Sequence, residues 1–126
     1  MGDLAPSDAA LKCLDDWMAA FNAQNLDAWK ATFNFPSVQL ARDGRIRLIR
    51  SADAAPNPFE RLTKGAWHHS AWGRRVIIHA GAEKVHIDTQ YIRYRADNSV
   101  IRCVDSLYIV TLQDGHWGVK GRSNYA

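Results

Sequence analysis

From Trp72 onward the chain abandons the helical repeat of its first third. Four runs, WGRRVIIHA, EKVHIDTQYIRYR, SVIRCVDSLYIVTLQ and HWGVKGRSNYA, are rich in β-branched and aromatic residues. Ala80-Gly81, Asp97-Asn98 and Asp114-Gly115 separate them, and such punctuation predicts an antiparallel meander. The first third reads differently. Ser7 is a good N-cap, and Leu11, Leu14, Trp17, Met18 and Phe21 recur at intervals of three and four, which predicts an amphipathic helix over about 8–23. Asn25 can cap a second helix carrying Leu26, Trp29 and Phe33, which Pro36 must end. VQLARDGRIRLI reads as a hairpin about Asp43-Gly44, 51–58 as a loop, and Pro58 as the start of a third helix reaching about Ser70. Helices first and strands last define an α+β fold, with the helices gathered on one face of a curved antiparallel sheet.

A length of 126 residues fits one domain spanning 1–126. A chain of this size buries roughly two thirds of its unfolded surface and needs no disulfide or metal staple. No window approaches the roughly 20 apolar residues of a membrane span, and MGDLAPSDAA lacks the basic and apolar regions of a signal peptide, so a cytoplasmic protein without membrane association is expected. Cys13 and Cys103 form no CxxC and read as small buried hydrophobes. The five histidines include no i, i+4 pair, so neither a metal nor another cofactor is expected.

The net charge of +3 is unevenly placed, with two basic and five acidic side chains in residues 1–41 and the basic excess beyond. Arg42, Arg45, Arg47 and Arg50 alternate with other residues as the solvated face of a hairpin would. Tyr91 and Arg93 share a strand face that Tyr94 does not, so YIRYR forms no continuous stacking platform and nucleic acid is not the expected partner.

Turn chemistry extends the pattern to registers. A two-residue Asp114-Gly115 turn places Leu112 opposite Trp117, Val110 opposite Val119, Tyr108 opposite Gly121, Ser106 opposite Ser123 and Val104 opposite Tyr125. A similar turn at Asp97-Asn98 brings Val85, Ile87, Thr89 and Tyr91 to the same face. A three-residue loop with left-handed Asn98 would instead bring His86, Asp88, Gln90 and Tyr94 inward. The first register is preferred because it buries Val85 and Ile87 beside Val110 and Val119. Its outer face carries His86, Asp88, Gln90, Asp105, Leu107, Ile109, Lys120 and Arg122, with Asp105 near Arg122.

The helix LKCLDDWMAAFNAQNLDAWKATF, the FNFPSVQL strand entry, the YRADNSV turn and the terminal YIVTLQDGHWGVKGRSNYA together resemble the nuclear-transport-factor-2-like (NTF2-like), or SnoaL-like, superfamily with its cystatin-like cone. The resemblance implies a conical pocket between helices and sheet, and a homodimer formed through the sheet. It implies no single chemistry, because the fold hosts isomerases, dehydratases, cyclases and non-catalytic adaptors. The general-base aspartate of the ketosteroid isomerases falls at about Leu40, and their first oxyanion tyrosine at Trp17 or Phe21. The second donor aligns with Tyr91, or with Gln90 if the loop differs by one. Without a base, that isomerase chemistry is not supported.

Two functions remain as expectations. One is a small-molecule-binding protein acting as an isomerase, dehydratase or cyclase on a mostly apolar substrate, with His68 or His69 as general base and Tyr91 as donor. The alternative is a non-catalytic homodimeric binding or interaction module. The expected ligand-binding residues are Trp17, Phe21, Phe33, Trp67, Trp72, Thr89, Ser106, Tyr108, Ser123 and Tyr125. The hydroxyl-bearing members would orient a polar group, since no nucleophile elbow accompanies any serine. His86 and Asp88, one strand face apart from the core, read as surface or interface residues.

Overall fold

The computed structural model describes residues 4–126. Helix α1 (Pro6–Asn22) begins two residues earlier than Ser7 capping suggests, because Pro6 itself occupies the first turn, where its missing N–H costs nothing. Its buried stripe of Ala10, Cys13, Leu14, Trp17, Met18 and Phe21 follows the expected spacing. Helix α2 (Leu26–Lys30) is capped by Asn25, whose Oδ1 accepts from the Ala28 N–H at 3.1 Å. It stops short of Phe33, which instead opens strand β1 (Phe33–Leu40).

Strand β2 (Ile46–Ile49) returns antiparallel to β1 through a five-residue connection, 41–45, with Gly44 at φ +88°. Helix α3 (Phe59–Lys64) is shorter than predicted. Gly65 and the left-handed Ala66 at φ +68° end it, so Trp67 and His68 lie in an extended connection and His69 opens strand β3 (His69–Ala80). Strands β4 (Lys84–Tyr94), β5 (Val100–Gln113) and β6 (His116–Asn124) complete one sheet of order β2-β1-β6-β5-β4-β3. Every pairing is antiparallel except that of β1 with β6, which is parallel.

Both loop alternatives at Asp97-Asn98 contribute. Asn98 is left-handed at φ +68° and the Arg95 N–H closes on the Ser99 carbonyl, yet Ile101 is an extra residue that restores the register. Tyr91 then faces Val104, Thr89 faces Ser106 and Ile87 faces Tyr108, as the preferred register requires. These residues are buried together with Val85, Val110 and Val119.

Strand β6 departs from expectation halfway along. Left-handed Asp114 and Gly115 make a tight turn, and the register holds as far as Val110 opposite Val119. Lys120 is then an extra residue, so Ile109 faces Gly121, Tyr108 faces Arg122 and Ser106 faces Asn124. A bulge of one residue reverses the facing of everything beyond it. Arg122 and Asn124 therefore turn inward, and Ser123 and Tyr125, expected to line the pocket, turn outward.

The helices pack on the inner face around an aromatic cluster. Trp17 stacks on Phe21 at 4.8 Å between centroids and meets Trp29 and Tyr108 edge-on at 5.9 Å each. Asn22 fastens the end of α1 to β3, its Nδ2 donating to the Ser70 carbonyl and its Oδ1 accepting from the Ser70 N–H, each at 2.8 Å. Cys13 is buried as expected, but Cys103 is exposed on β5. Among the described residues no helix is long and apolar enough to cross a membrane.

Candidate functional site

Between the helices and the inner face of the sheet lies a cavity of about 370 Å³. Its apolar wall comes from α1, α2 and α3 through Trp17, Met18, Phe21, Trp29 and Leu62, and Pro56 and Pro58 close one side. The volume falls within the range of roughly 300–1,000 Å³ typical of small-molecule sites.

The sheet wall is polar. Across neighbouring strands Arg47 faces Gln39, Gln39 faces Arg122 and Arg122 faces Tyr108, so these four form one continuous row from β2 to β5. Arg93 of β4 and Arg102 of β5 stand directly opposite each other. With Arg61 from α3 they bring five arginines to the cavity, whose lining includes no aspartate or glutamate side chain. None of these five makes an ion pair among the described residues, whereas Arg45, Arg74 and Arg75 elsewhere each pair with an aspartate. The Arg93 guanidinium lies over the Tyr91 ring at 5.5 Å, and Arg102 Nη2 donates to the Tyr125 carbonyl at 2.8 Å.

Four buried side-chain atoms lack a hydrogen-bond partner among the described residues: Trp17 Nε1, Trp29 Nε1, Arg122 Nε and Tyr108 Oη. Three belong to lining residues and the fourth to the residue facing Arg122. All can donate. Burial pushes the Tyr108 phenol up to about 12, against the opposing influence of the nearby Arg122 charge, so it stays protonated at neutral pH.

Of the residues expected to bind or react, Trp17, Phe21 and Tyr91 line the cavity. The two histidines do not. His68 is exposed, and its Nδ1 lies 2.9 Å from that of half-buried His69, which stacks on Tyr94 at 4.9 Å. Phe33 and Trp67 belong to the closed core, with Trp67 Nε1 donating to Ser70 Oγ at 2.8 Å. Half-buried Trp72 donates from Nε1 to the Leu14 carbonyl at 3.1 Å. Thr89 and Ser106 are buried and hydrogen-bonded to each other, so their hydroxyls are used inside the sheet. Tyr108 is fully buried behind the lining, Tyr125 is exposed and Ser123 faces outward. His86 and Asp88 lie on the outer face, and Arg74 bridges Asp88 and Asp105 at 3.0 and 3.3 Å, replacing the expected Asp105–Arg122 pair. No group of three potential metal-ligating side chains comes together among the described residues.

The sequence reading missed Arg47, Arg61, Arg93, Arg102, Arg122 and Asn124 as cavity residues. One signal pointed to the last two. Gly118 and Gly121 bracket the bulge, and glycine inside a strand marks a bulge or a close approach. A Cβ on Gly118 would sit 2.7 Å from Asn34 Cγ.

A strongly curved sheet wrapped on three N-terminal helices, with a cavity between them, defines the NTF2-like class. The chain belongs to the family described as NTF2-like protein (DUF6841), whose model matches residues 8–122. It is similar to an NTF2-like protein of unknown function from Shewanella oneidensis, at TM-score 0.76 and 15% identity over 96% of this chain and 99% of that one. A ketosteroid isomerase-like protein from Erwinia carotovora atroseptica aligns at TM-score 0.66 and 13% identity over 94% and 93% of the two chains. A hexachlorocyclohexane dehydrochlorinase from Novosphingobium barchaimii aligns at TM-score 0.65 and 14% identity over 94% and 84%. Identities this low establish the fold they share with this chain. No curated protein matches the sequence.

Proposed function

We propose that the protein binds a small molecule in the cone, with its ring system against Trp17, Phe21 and Trp29. The observation that carries this reading is the aromatic-walled cavity of about 370 Å³ bordered by unpartnered polar groups. Binding is favoured over general-base catalysis because His68 and His69 lie outside the cavity and its lining holds no carboxylate side chain. Tyr91 is left as a hydrogen-bonding group rather than half of a proton-transfer pair. A thermal-shift screen of neutral apolar carbonyl and aromatic compounds tests the reading, since a ligand at 100 times its dissociation constant stabilises by about 2.7 kcal/mol. A Trp29→Ala variant should lose the shift. If no compound raises the melting temperature of the unaltered protein, the interaction module becomes the better description.

A second reading rests on the outer face of β1 and β2. Val38 pairs with Leu48 and Leu40 with Ile46, and all four are exposed. Val76 and Ile78 of β3 are exposed as well. We propose that these residues support a homodimer through the sheet, closed two-fold pairs being the commonest assembly. Sedimentation of the protein and of a Leu48→Lys variant tests it: the expected result is a dimer that the charge dissociates, and a monomeric parent protein overturns it.

A further inference from the structure

We infer that the ligand is an organic anion, with an aromatic or alicyclic body among Trp17, Phe21 and Trp29 and an oxyanion group, carboxylate or phosphate, held by Arg93, Arg102 and Arg122. The inference rests on the small-molecule reading above and names the ligand's chemistry.

Its first support is the cost of the arrangement. Arg93 and Arg102 are direct cross-strand partners, and like charges so placed destabilise a sheet. Arg122 adds a third guanidinium whose Nε is buried without a partner among the described residues, and an unmet buried donor is itself unfavourable. Aspartates do answer arginines elsewhere on this sheet: Arg74 holds Asp88 and Asp105 on the outer face, and Arg75 holds Asp15 of α1. Among the described residues none does so in the cavity. Guanidinium groups present planar forks that match carboxylate and phosphate oxygens, so a bound oxyanion would relieve both the repulsion and the missing hydrogen bonds.

The second support is the local geometry that brings the charge inside. Were Lys120 paired with Ile109 instead of bulged, β6 would place Gly121 opposite Tyr108 and send Arg122 to the outer face, where Asp105 lies. With it, Arg122 stands between Gln39 and Tyr108 on the inner wall. Bulges re-aim side chains at functional positions. The third support is the opposite wall, where Trp17 and Trp29 supply apolar area together with unpartnered indole donors. The combination fits one molecule with an apolar body and a charged end better than a free inorganic ion.

The test compares 2-naphthoate, 2-naphthyl phosphate and neutral 2-naphthamide by calorimetry at low and high salt. At least one of the two anions is expected to bind tenfold or more tightly than the amide, with an advantage that shrinks at high salt and disappears in Arg93→Gln/Arg122→Gln. The better of the two anions identifies the oxyanion. Arg74→Gln, on the outer face, should keep the preference. Equal binding of the amide overturns the inference while leaving the small-molecule reading intact. Inorganic phosphate displacing naphthyl phosphate with equal affinity overturns it too, because the body would then contribute nothing. If none of the three naphthalene probes binds and no neutral compound in the thermal screen raises the melting temperature, both readings are overturned. Should the double variant fail to fold, the comparison in the unaltered protein decides the matter alone.

Discussion

Tyr108 of β5 stands directly opposite Arg122 of β6, and both the phenol oxygen and the arginine Nε are buried without a hydrogen-bond partner among the described residues. Tyr108 also packs edge-on against Trp17 and Trp72, at 5.9 and 5.3 Å between centroids. Its ring is therefore fully used while its hydroxyl is not. Removing a hydroxyl that makes no hydrogen bond removes a desolvation cost with it. Tyr108→Phe is expected to change unfolding free energy by less than about 0.5 kcal/mol, or to raise it. Urea denaturation measures this, and a loss of well over 1 kcal/mol would show that the hydroxyl is engaged.

Asn22 and Ser70 present the opposite case. Both members of the Asn22 amide are engaged with the Ser70 backbone, and Ser70 is buried. Asn22→Ala leaves that N–H and carbonyl unmet, at a cost of about 1–3 kcal/mol for an orphaned buried group. A fall in urea midpoint at unchanged slope is the expected signature. Because Trp67 bonds to the same serine, its fluorescence should report the loosening.

Gly118 is required by close approach rather than by its dihedral angles. A Cβ there would lie 2.7 to 2.8 Å from three atoms of Asn34, one of them backbone. The Asn34 side chain in turn ties β1 to the Thr111 and His116 carbonyls at 2.8 and 3.0 Å. Gly118→Ala should cost at least the 1–3 kcal/mol typical of overpacking. It should also speed amide exchange at β1. Unaltered exchange and stability would show that Asn34 yields freely.

Alkaline pH should weaken the fold through two groups. Burial raises the Cys13 thiol from 9.0 to about 12, and the Tyr108 phenol from 10.0 to about 12. Between about pH 9 and 12 the unfolded chain releases these protons while the folded chain keeps them, so the folded state binds more protons and stability falls as pH rises. Each group can contribute a slope of at most about 1.4 kcal/mol per pH unit. Cys13→Ala and Tyr108→Phe should each flatten the decline measured by thermal melting from pH 8 to 11. A decline identical in both variants would assign it to other groups.

Much of the fold was legible because local signals agreed. Asn25 capped its helix, the α1 stripe kept its spacing, and the β4–β5 register survived because the extra residue at Ile101 compensates for left-handed Asn98. The site was less legible for a related reason. Lys120 is a second extra residue with no compensating partner, so the inner face of β6 could not be extrapolated from the Asp114-Gly115 turn. The histidines were misplaced by helix length: TKGAWHH continues an amphipathic pattern, but Gly65 and left-handed Ala66 end the helix before it reaches them. Arg47, Arg93 and Arg102 alternate as solvated residues do. Only the curvature that folds three strands toward one cavity distinguishes them from a wetted surface.

The bulge at Lys120 also separates two properties that ordinarily change together. The half of β6 that precedes it, with Trp117 and Val119, holds the core, while the half that follows sets the charge of the cavity. Deleting Lys120 would take the bulge out and still leave Arg122 opposite Tyr108, whereas pairing Lys120 with Ile109 would put Gly121 and Ser123 at the cavity wall in place of Arg122 and Asn124, with Val119 left opposite Val110. A chain built this way can acquire or discard an anion-attracting interior through the pairing of a single residue, a route to new ligands that spares the packing on which folding depends.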